Sequence, residues 1–334
     1  MKVLQISADR SKRGILHPGS DAFARQQAYA DSFGVLDIVA YSRLQDDART
    51  IESGALRIVP TRSSSPFFWG WDALRLAKKL PRPDVVSAQD PFETGLAAYV
   101  VARYFNVPLH VQIHTDFLSP GYAKHSFLNG ARLIIAGFVL RRAAGIRVVS
   151  ERIKKSVEEA YRPEAPISVL PIFVDLARYR SAAAPESLRE RFARFKTKVL
   201  IVARQEPEKN VGLGIRSFID VAPHDACLIV VGEGSEHDML KQIAIQTRAT
   251  DAVFFENTQD AAPYFALADL VLVPSKYEGY GLVIVEALAA GVPVIATDVG
   301  IAREAGATVA PESQFADALH RWFENGPRTA KLML

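Results

Sequence analysis

Three features of this sequence predict an α/β fold of two open, doubly wound parallel sheets. Short β-branched runs alternate with longer segments of helical period, the signature of a parallel sheet with covering helices. The alternation stops in a stretch rich in Pro, Ala and Ser and then begins again. The chain's 334 residues exceed one ordinary domain and suit two of roughly 150 residues each.

The first set of strands reads KVLQIS at 2–7, VLDIVAY at 35–41, LRIVP at 56–60, DVVSA at 84–88, LHVQIH at 109–114 and GIRVVS at 145–150. PEAPISVLPIFVDLARYRSAAAPES interrupts the pattern. The second set reads KVLIVA at 198–203, CLIVV at 227–231, AVFFE at 252–256, DLVLVPS at 269–275 and VPVIAT at 292–297. The expected division is a Rossmann-like domain over 1–171, a linker over 172–196 and a second Rossmann-like domain over 197–334. Ligands of such sheets bind beyond the carboxyl ends of the strands, so two domains facing a central cleft would place the site there, with its motifs just after strands.

Composition narrows the function classes. With 49% hydrophobic and 23% charged residues, the chain is that of a soluble globular protein. A net charge of +3 suits anionic small molecules or a membrane surface and does not imply nucleic acid. Cys227, the single cysteine, sits in the apolar run Ala226–Val231 and reads as a small buried hydrophobe, which excludes disulfides and cysteine-based metal sites. No His, Asp and Glu cluster has metal-ligand spacing and no Asp-x-Asp follows a strand, so neither metal nor cofactor is expected. MKVLQISADR turns polar too soon for a signal peptide, and no run reaches the roughly 18 apolar residues of a membrane span, so the expected location is cytoplasmic.

The stretch richest in chemistry is SKYEGYGLVIVEALAAGVPVIATDVG at 275–300. A strand ends at Ser275, a loop through Gly279, Tyr280 and Gly281 follows, and a helical run begins at Leu282. The first amides of a helix, here those of Leu282 and Val283, have no partner inside it and with the helix dipole can hold a phosphate. Glu286, one turn in, can accept hydrogen bonds from ligand hydroxyls, and Glu278 on the loop can meet a second polar part of the same ligand. The plain structural alternative makes Glu278 a solvated loop acid and Glu286 a helix acid paired with a cation.

Glu278-x7-Glu286 with the flank EALAAGVPVIATDVG resembles the E-x7-E signature of retaining GT-B glycosyltransferases of the family 4 type, which transfer sugars from nucleotide diphosphates. The resemblance implies that Glu286 binds the nucleotide ribose and Glu278 lies near the donor sugar. VARQEPEKNVGLGIRSF at 202–218 resembles the segment in which an Arg and a Lys hold the donor diphosphate, which points to Arg204 and Lys209. Two cations there would stabilise the charge growing on the leaving nucleoside diphosphate; taken alone, the pair also reads as surface charge. VVGEGSEHDML at 230–240 resembles the family's glycine turn and places Gly232 and Gly234 near the nucleotide. As a dinucleotide fingerprint it lacks the third glycine, because His237 stands there.

In the first half, VQIHTDFLSPGY at 111–122 resembles the stretch whose His lies close to the transferred sugar. It assigns His114 to the donor sugar and Asp116 to the acceptor, against the alternative of a satisfied structural histidine. In SAQDPFETG, 87–95, Gln89 replaces the family's common His. Where the family has a pair of glycines after the first strand, this chain has SKRGILHPGSDAFARQQ, and Gly19 and Ser20 are the match on the phosphate and acceptor side. Near the end, VGIARE offers Glu304 as the match to a family Glu, and AGATVAPESQF replaces the glycine-rich stretch that usually follows.

The resemblance implies transfer with retention from a nucleotide-sugar donor, in cell-envelope polysaccharide biosynthesis, with Arg204, Lys209 and the helix amides replacing a metal ion. The expected acceptor is a glycan or a lipid-linked hydroxyl. SPFFWGWDALRLAKKLPRP at 65–83 and LNGARLIIAGFVLRRAAG at 128–145 pair aromatic and apolar residues with cations, which suits peripheral contact with the inner membrane surface or, alternatively, ordinary helix packing. Competing readings are a nucleotide-sugar-binding, non-catalytic paralogue and a nucleotide-sugar epimerase on the same fold.

Overall fold

A computed structural model describes residues 1–9, 14–258 and 260–333, so part of the SKRGIL run lies outside the described residues. The chain divides into two compact units, Met1–Pro171 and Ile172–Leu334. The strands of the first unit are β1 (Lys2–Ser7), β2 (Val35–Ala40), β3 (Ile51–Ser53), β4 (Leu56–Pro60), β5 (Val85–Ala88), β6 (Leu109–Ile113), β7 (Gly145–Val148) and β8 (Ile167–Val169). They form one sheet in the order β3-β4-β2-β1-β5-β6-β7-β8, with β3 antiparallel to β4 and every other pair parallel. The strands of the second unit are β9 (Thr197–Val202), β10 (Ala226–Val231), β11 (Val253–Glu256), β12 (Leu270–Val273), β13 (Val294–Ala296) and β14 (Thr308–Val309). Their order is β11-β10-β9-β12-β13-β14, all parallel.

Each of the eleven apolar runs read as strands forms one. A parallel sheet covered on both faces favours continuous Val, Ile and Leu, and all six residues of β10 are buried accordingly. In the second unit the core joins Val199 and Ile201 to Leu228, Val230, Leu270 and Leu272, closed by Phe315, Leu319 and Trp322 of the helix Phe315–Asn325. In the first unit Leu36, Ile38, Leu56 and Ile58 pack with Ile15 and Ala30.

The structure adds β3, β8 and β14, which lie at or near sheet edges and are too short for periodicity to reveal. β8 comes from the Pro-rich interruption itself. Residues 172–196 carry the helices Leu176–Arg180 and Glu186–Arg191 and pack onto the second unit. Phe192 and Phe195 meet Phe254 at ring distances of 5.2 and 5.6 Å, and Tyr179 meets Phe265 at 5.6 Å.

Candidate active site

In the second unit three loops beyond the carboxyl ends of the strands lie against one another. The loop after β9 meets the loop after β10 so closely that a Cβ on Gly232 would stand 2.1 Å from the Ala203 carbonyl oxygen, and one on Gly234 2.4 Å from that of Gln205. With φ at +131°, Gly232 also adopts a backbone that side chains avoid. Gln205 locks the pair: its amide donates to the Gly232 carbonyl at 2.6 Å and its side-chain oxygen meets His237 Nδ1 at 2.6 Å. These glycines thus have a structural reason to be where they are. The loop after β12 is tied to the first by the Lys276 amide, which donates to the Glu208 carbonyl at 2.8 Å.

This arrangement brings the predicted cations and the loop acid together. Lys209 Nζ lies 2.7 and 2.8 Å from the two oxygens of Glu278, and Ser275 Oγ donates to the same carboxylate at 2.7 Å. Both partners of the ion pair are largely covered, at 18% and 16% exposure, so Glu278 is not the solvated acid of the plain alternative. Arg204, 72% exposed, pairs with Glu208 at 3.1 Å. The field of Glu208 and Glu278 adds to burial in raising the Tyr277 phenol, while Arg204 opposes it, which places all four groups in one neighbourhood.

Past Glu278, the half-buried Gly279 and buried Tyr280 lead to Gly281, whose φ of +90° opens the helix Leu282–Ala289. Having no side chain, Gly281 leaves the amides of Leu282 and Val283 without a side-chain cap at a helix start. The Tyr280 carbonyl is held by the Ile301 amide at 3.0 Å. Burial raises the Tyr280 phenol, and nearby Glu304 adds to the shift.

Glu286 follows on the same helix, but its partner is a hydroxyl and not a cation. Tyr179, in the stretch read as a linker, donates a hydrogen bond to its carboxylate. Burial raises the Glu286 pKa, opposed by that bond and by Arg178. The same burial, with Glu286 beside it, pushes the Tyr179 phenol up. The two acids of the motif therefore have separate partners.

In the first unit His114 stands just beyond β6, with Nε2 3.2 Å from Gln112 Oε1. Burial, then the charges of Arg147 and Arg25, lower its pKa to about 4, so it is neutral at pH 7. Asp116 is buried and ion-paired with Arg152 at 3.0 Å; burial raises its pKa and Arg152 opposes the shift. Ser20 caps the helix Asp21–Phe33, accepting from the Phe23 amide at 3.0 Å and donating to the Gly14 carbonyl at 2.9 Å. Gly19 precedes it at φ +92° with open space around its Cα. Gln89 meets the Ser7 hydroxyl.

Sequence reasoning missed the groups that hold these side chains: Tyr179 on Glu286, Ser275 on Glu278, Glu208 on Arg204 and Gln112 on His114. Gln112 alone left a readable signal, because LHVQIH alternates polar residues into a strand of a kind usually apolar on both faces.

Residues 196–325 match the family described as Glycosyl transferases group 1, and residues 35–178 match Glycosyltransferase Family 4. The glycogen synthase of Mycobacterium tuberculosis is 30% identical over 234 residues, which cover 66% of this chain and 53% of that protein. The alpha-monoglucosyldiacylglycerol synthase of Streptococcus pneumoniae is 27% identical over 242 residues, covering 67% and 54%. The chain thus spans about half the length of these curated relatives. Anabaena HepE, solved in complex with UDP-glucose, matches with a TM-score of 0.72 at 18% identity, over 99% of this chain and 92% of that one. That likeness carries the fold, GT-B, with its two parallel-sheet α/β domains. On the two family matches together, the chain belongs to the glycosyltransferases of the group 1, family 4 type.

Proposed function

We propose that this protein transfers a sugar from a UDP- or GDP-sugar to a hydroxyl of a glycan or lipid-linked acceptor, with retention at the anomeric carbon and without a metal ion. The observation that carries the proposal is the meeting of Lys209 and Glu278 on the loop that leads to the uncapped start of the helix Leu282–Ala289. On this reading the donor diphosphate sits on the amides of Leu282 and Val283 and draws on the charges of Lys209 and Arg204. Glu286 accepts from the ribose hydroxyls, and His114 contacts the transferred sugar. The nucleotide-sugar donor has support from HepE, which carries UDP-glucose.

The bond between the anomeric carbon and the diphosphate oxygen breaks, its electron pair leaving with the nucleoside diphosphate. The acceptor oxygen bonds the same face of that carbon and gives its proton to an oxygen of the leaving group. Lys209, Arg204 and the helix amides stabilise the charge that develops there. Incubation with UDP-glucose, UDP-N-acetylglucosamine and GDP-mannose, with and without EDTA, tests this. Release of free nucleoside diphosphate that EDTA leaves unchanged is the expected result; binding of a donor with no release under any condition would favour the non-catalytic paralogue.

A lipid-linked acceptor is favoured by the outer helical layer of the first unit. Phe67 and Phe127 are 89% and 94% exposed, and Trp71 and Ile134 stand exposed with them. Across 65–83, 93–105 and 127–142 there are eight basic residues against two acidic ones, Asp72 and Glu93. Exposed aromatics on segments rich in cations suit an anionic bilayer surface. Among the described residues no helix is long and apolar enough to cross a membrane, so this contact is peripheral. Sedimentation with phosphatidylglycerol vesicles at low salt, weakened in the double variant Phe67→Ser and Trp71→Ser, is the expected result; no sedimentation of the wild type would remove the membrane from the reading.

A further inference from the structure

A row of polar side chains crosses the sheet of the first unit: Gln5 on β1, Ser87 on β5, His110 and Gln112 on β6 and Arg147 on β7. Their hydrogen bonds run in one direction. Arg147 Nη1 lies 3.4 Å from Gln112 Oε1, and Arg147 Nη2 is anchored on the Leu170 carbonyl at 3.3 Å. A guanidinium only donates, so it holds the Gln112 amide with its oxygen toward Arg147 and its nitrogen toward Ser87 Oγ, 3.1 Å away, and Gln5 Oε1, at 3.4 Å. Turning the amide over would set its N–H groups against those of Arg147.

With the amide fixed, the nitrogen of His114 that meets its oxygen at 3.2 Å must carry a hydrogen. We propose that Gln112 is a positioning residue that holds His114 as the neutral Nε2–H tautomer, so that Nδ1 presents a lone pair to a hydroxyl of the bound sugar. Phosphate and carboxylate oxygens have no hydrogen to offer that lone pair, so the contact selects a hydroxyl. The proposal rests on the reading of His114 as a sugar contact. Ser87 Oγ, which accepts from Gln112, also meets His110 Nδ1 at 3.0 Å. Burial and the charge of Arg147 lower the pKa of both histidines and keep them neutral at pH 7, with Arg25 adding to the effect at His114.

Long-range ¹H–¹⁵N spectra of the protein labelled on histidine, at pH 7, read the tautomers directly, with His114 assigned by its loss in His114→Asn. Bare Nδ1 and protonated Nε2 are expected on His114; a bare Nε2 there overturns the proposal. Gln112→Leu should let His114 populate both tautomers, and Gln112→Glu, which keeps an oxygen acceptor, should restore the single one. An unchanged tautomer in Gln112→Leu, or a mixture in both variants, also overturns it.

UDP release from UDP-glucose reads the contact itself. Gln112→Leu should lower kcat/KM by about tenfold, the worth of one hydrogen bond, and add nothing in a His114→Ala background. Should His114→Ala alone run at the wild-type rate, the assignment of His114 to the sugar fails, while the spectra still decide the tautomer.

Discussion

Lys209 and Glu278 in the second unit meet on loops past the ends of the strands, whereas Gln112 and His114 in the first unit meet on a strand and just beyond it. The first pair is charged and the second neutral. On the proposed function a charge pair at a loop can be re-divided when a diphosphate arrives, because the ligand would supply the negative charge that Lys209 otherwise takes from Glu278. A hydrogen-bonded row within a sheet has no such freedom, since its donors and acceptors are fixed by strand register and by the guanidinium of Arg147. The two regions suit different tasks: the loops answer a change in charge, and the row fixes the direction of a single hydrogen bond.

The sharpest way to break this comparison is to remove each cation of the loop pair in turn. On the proposed function Lys209→Ala and Arg204→Ala each lower donor turnover by about 10²–10³-fold, the usual loss when a donor to a developing charge is removed. Stability should separate them. Lys209→Ala leaves Glu278 mostly covered with Ser275 as its remaining donor, and should cost about 2 kcal/mol by urea midpoint. Arg204 is 72% exposed, so its pair with Glu208 is worth less than about 0.5 kcal/mol. Wild-type turnover in both variants would remove the diphosphate assignment; equal loss of stability would show that the two pairs do not differ as their exposure requires.

The neutral row is tested by acid. His114 has its pKa lowered from 6.5 to about 4, so as pH falls below 6.5 the unfolded chain takes up a proton that the folded chain refuses. The share of stability carried by His114 is therefore full above pH 6.5, declines from there toward pH 4 and levels off below it, with about 3 kcal/mol lost across the window. His110 contributes in the same direction. Subtracting the pH profile of His114→Gln from that of the wild type isolates the share of His114. A difference that stays flat between pH 6.5 and 4 would mean that the ring is charged or solvated.

How much of this was legible in the sequence differs between the same two regions. The loops of the second unit declared themselves because Glu278, Gly281 and Glu286 are neighbours in the chain, and Arg204 and Lys209 follow directly on a strand. Local spacing carries that information. The partners are remote: Tyr179 meets Glu286 from a segment that reads as a connector, and Gln112 depends on Arg147 from the adjacent strand. Only register and packing create those pairs. The eleven apolar runs gave their strands away, while β3, β8 and β14, at most three residues each, owe their existence to a neighbour with free backbone groups.

The smallest expected effect lies where the two kinds of region meet in one residue. Glu286 is a charged group on a helix, like the loop acids, yet its partner is a neutral hydroxyl, as in the polar row. Tyr179→Phe keeps the ring on Phe265 and removes only the donated hydrogen bond. It should cost about 1 kcal/mol of stability at pH 7 and move the Glu286 pKa further up, because burial would act with one fewer donor opposing it. If Tyr179 orients the carboxylate for the ribose, UDP binding by calorimetry should weaken by about threefold, well short of the loss in Glu286→Gln. A variant with unchanged stability and unchanged UDP affinity would show that Glu286 finds an equal donor without Tyr179, and would return the acid to the ordinary class of loop-side charges that re-divide freely.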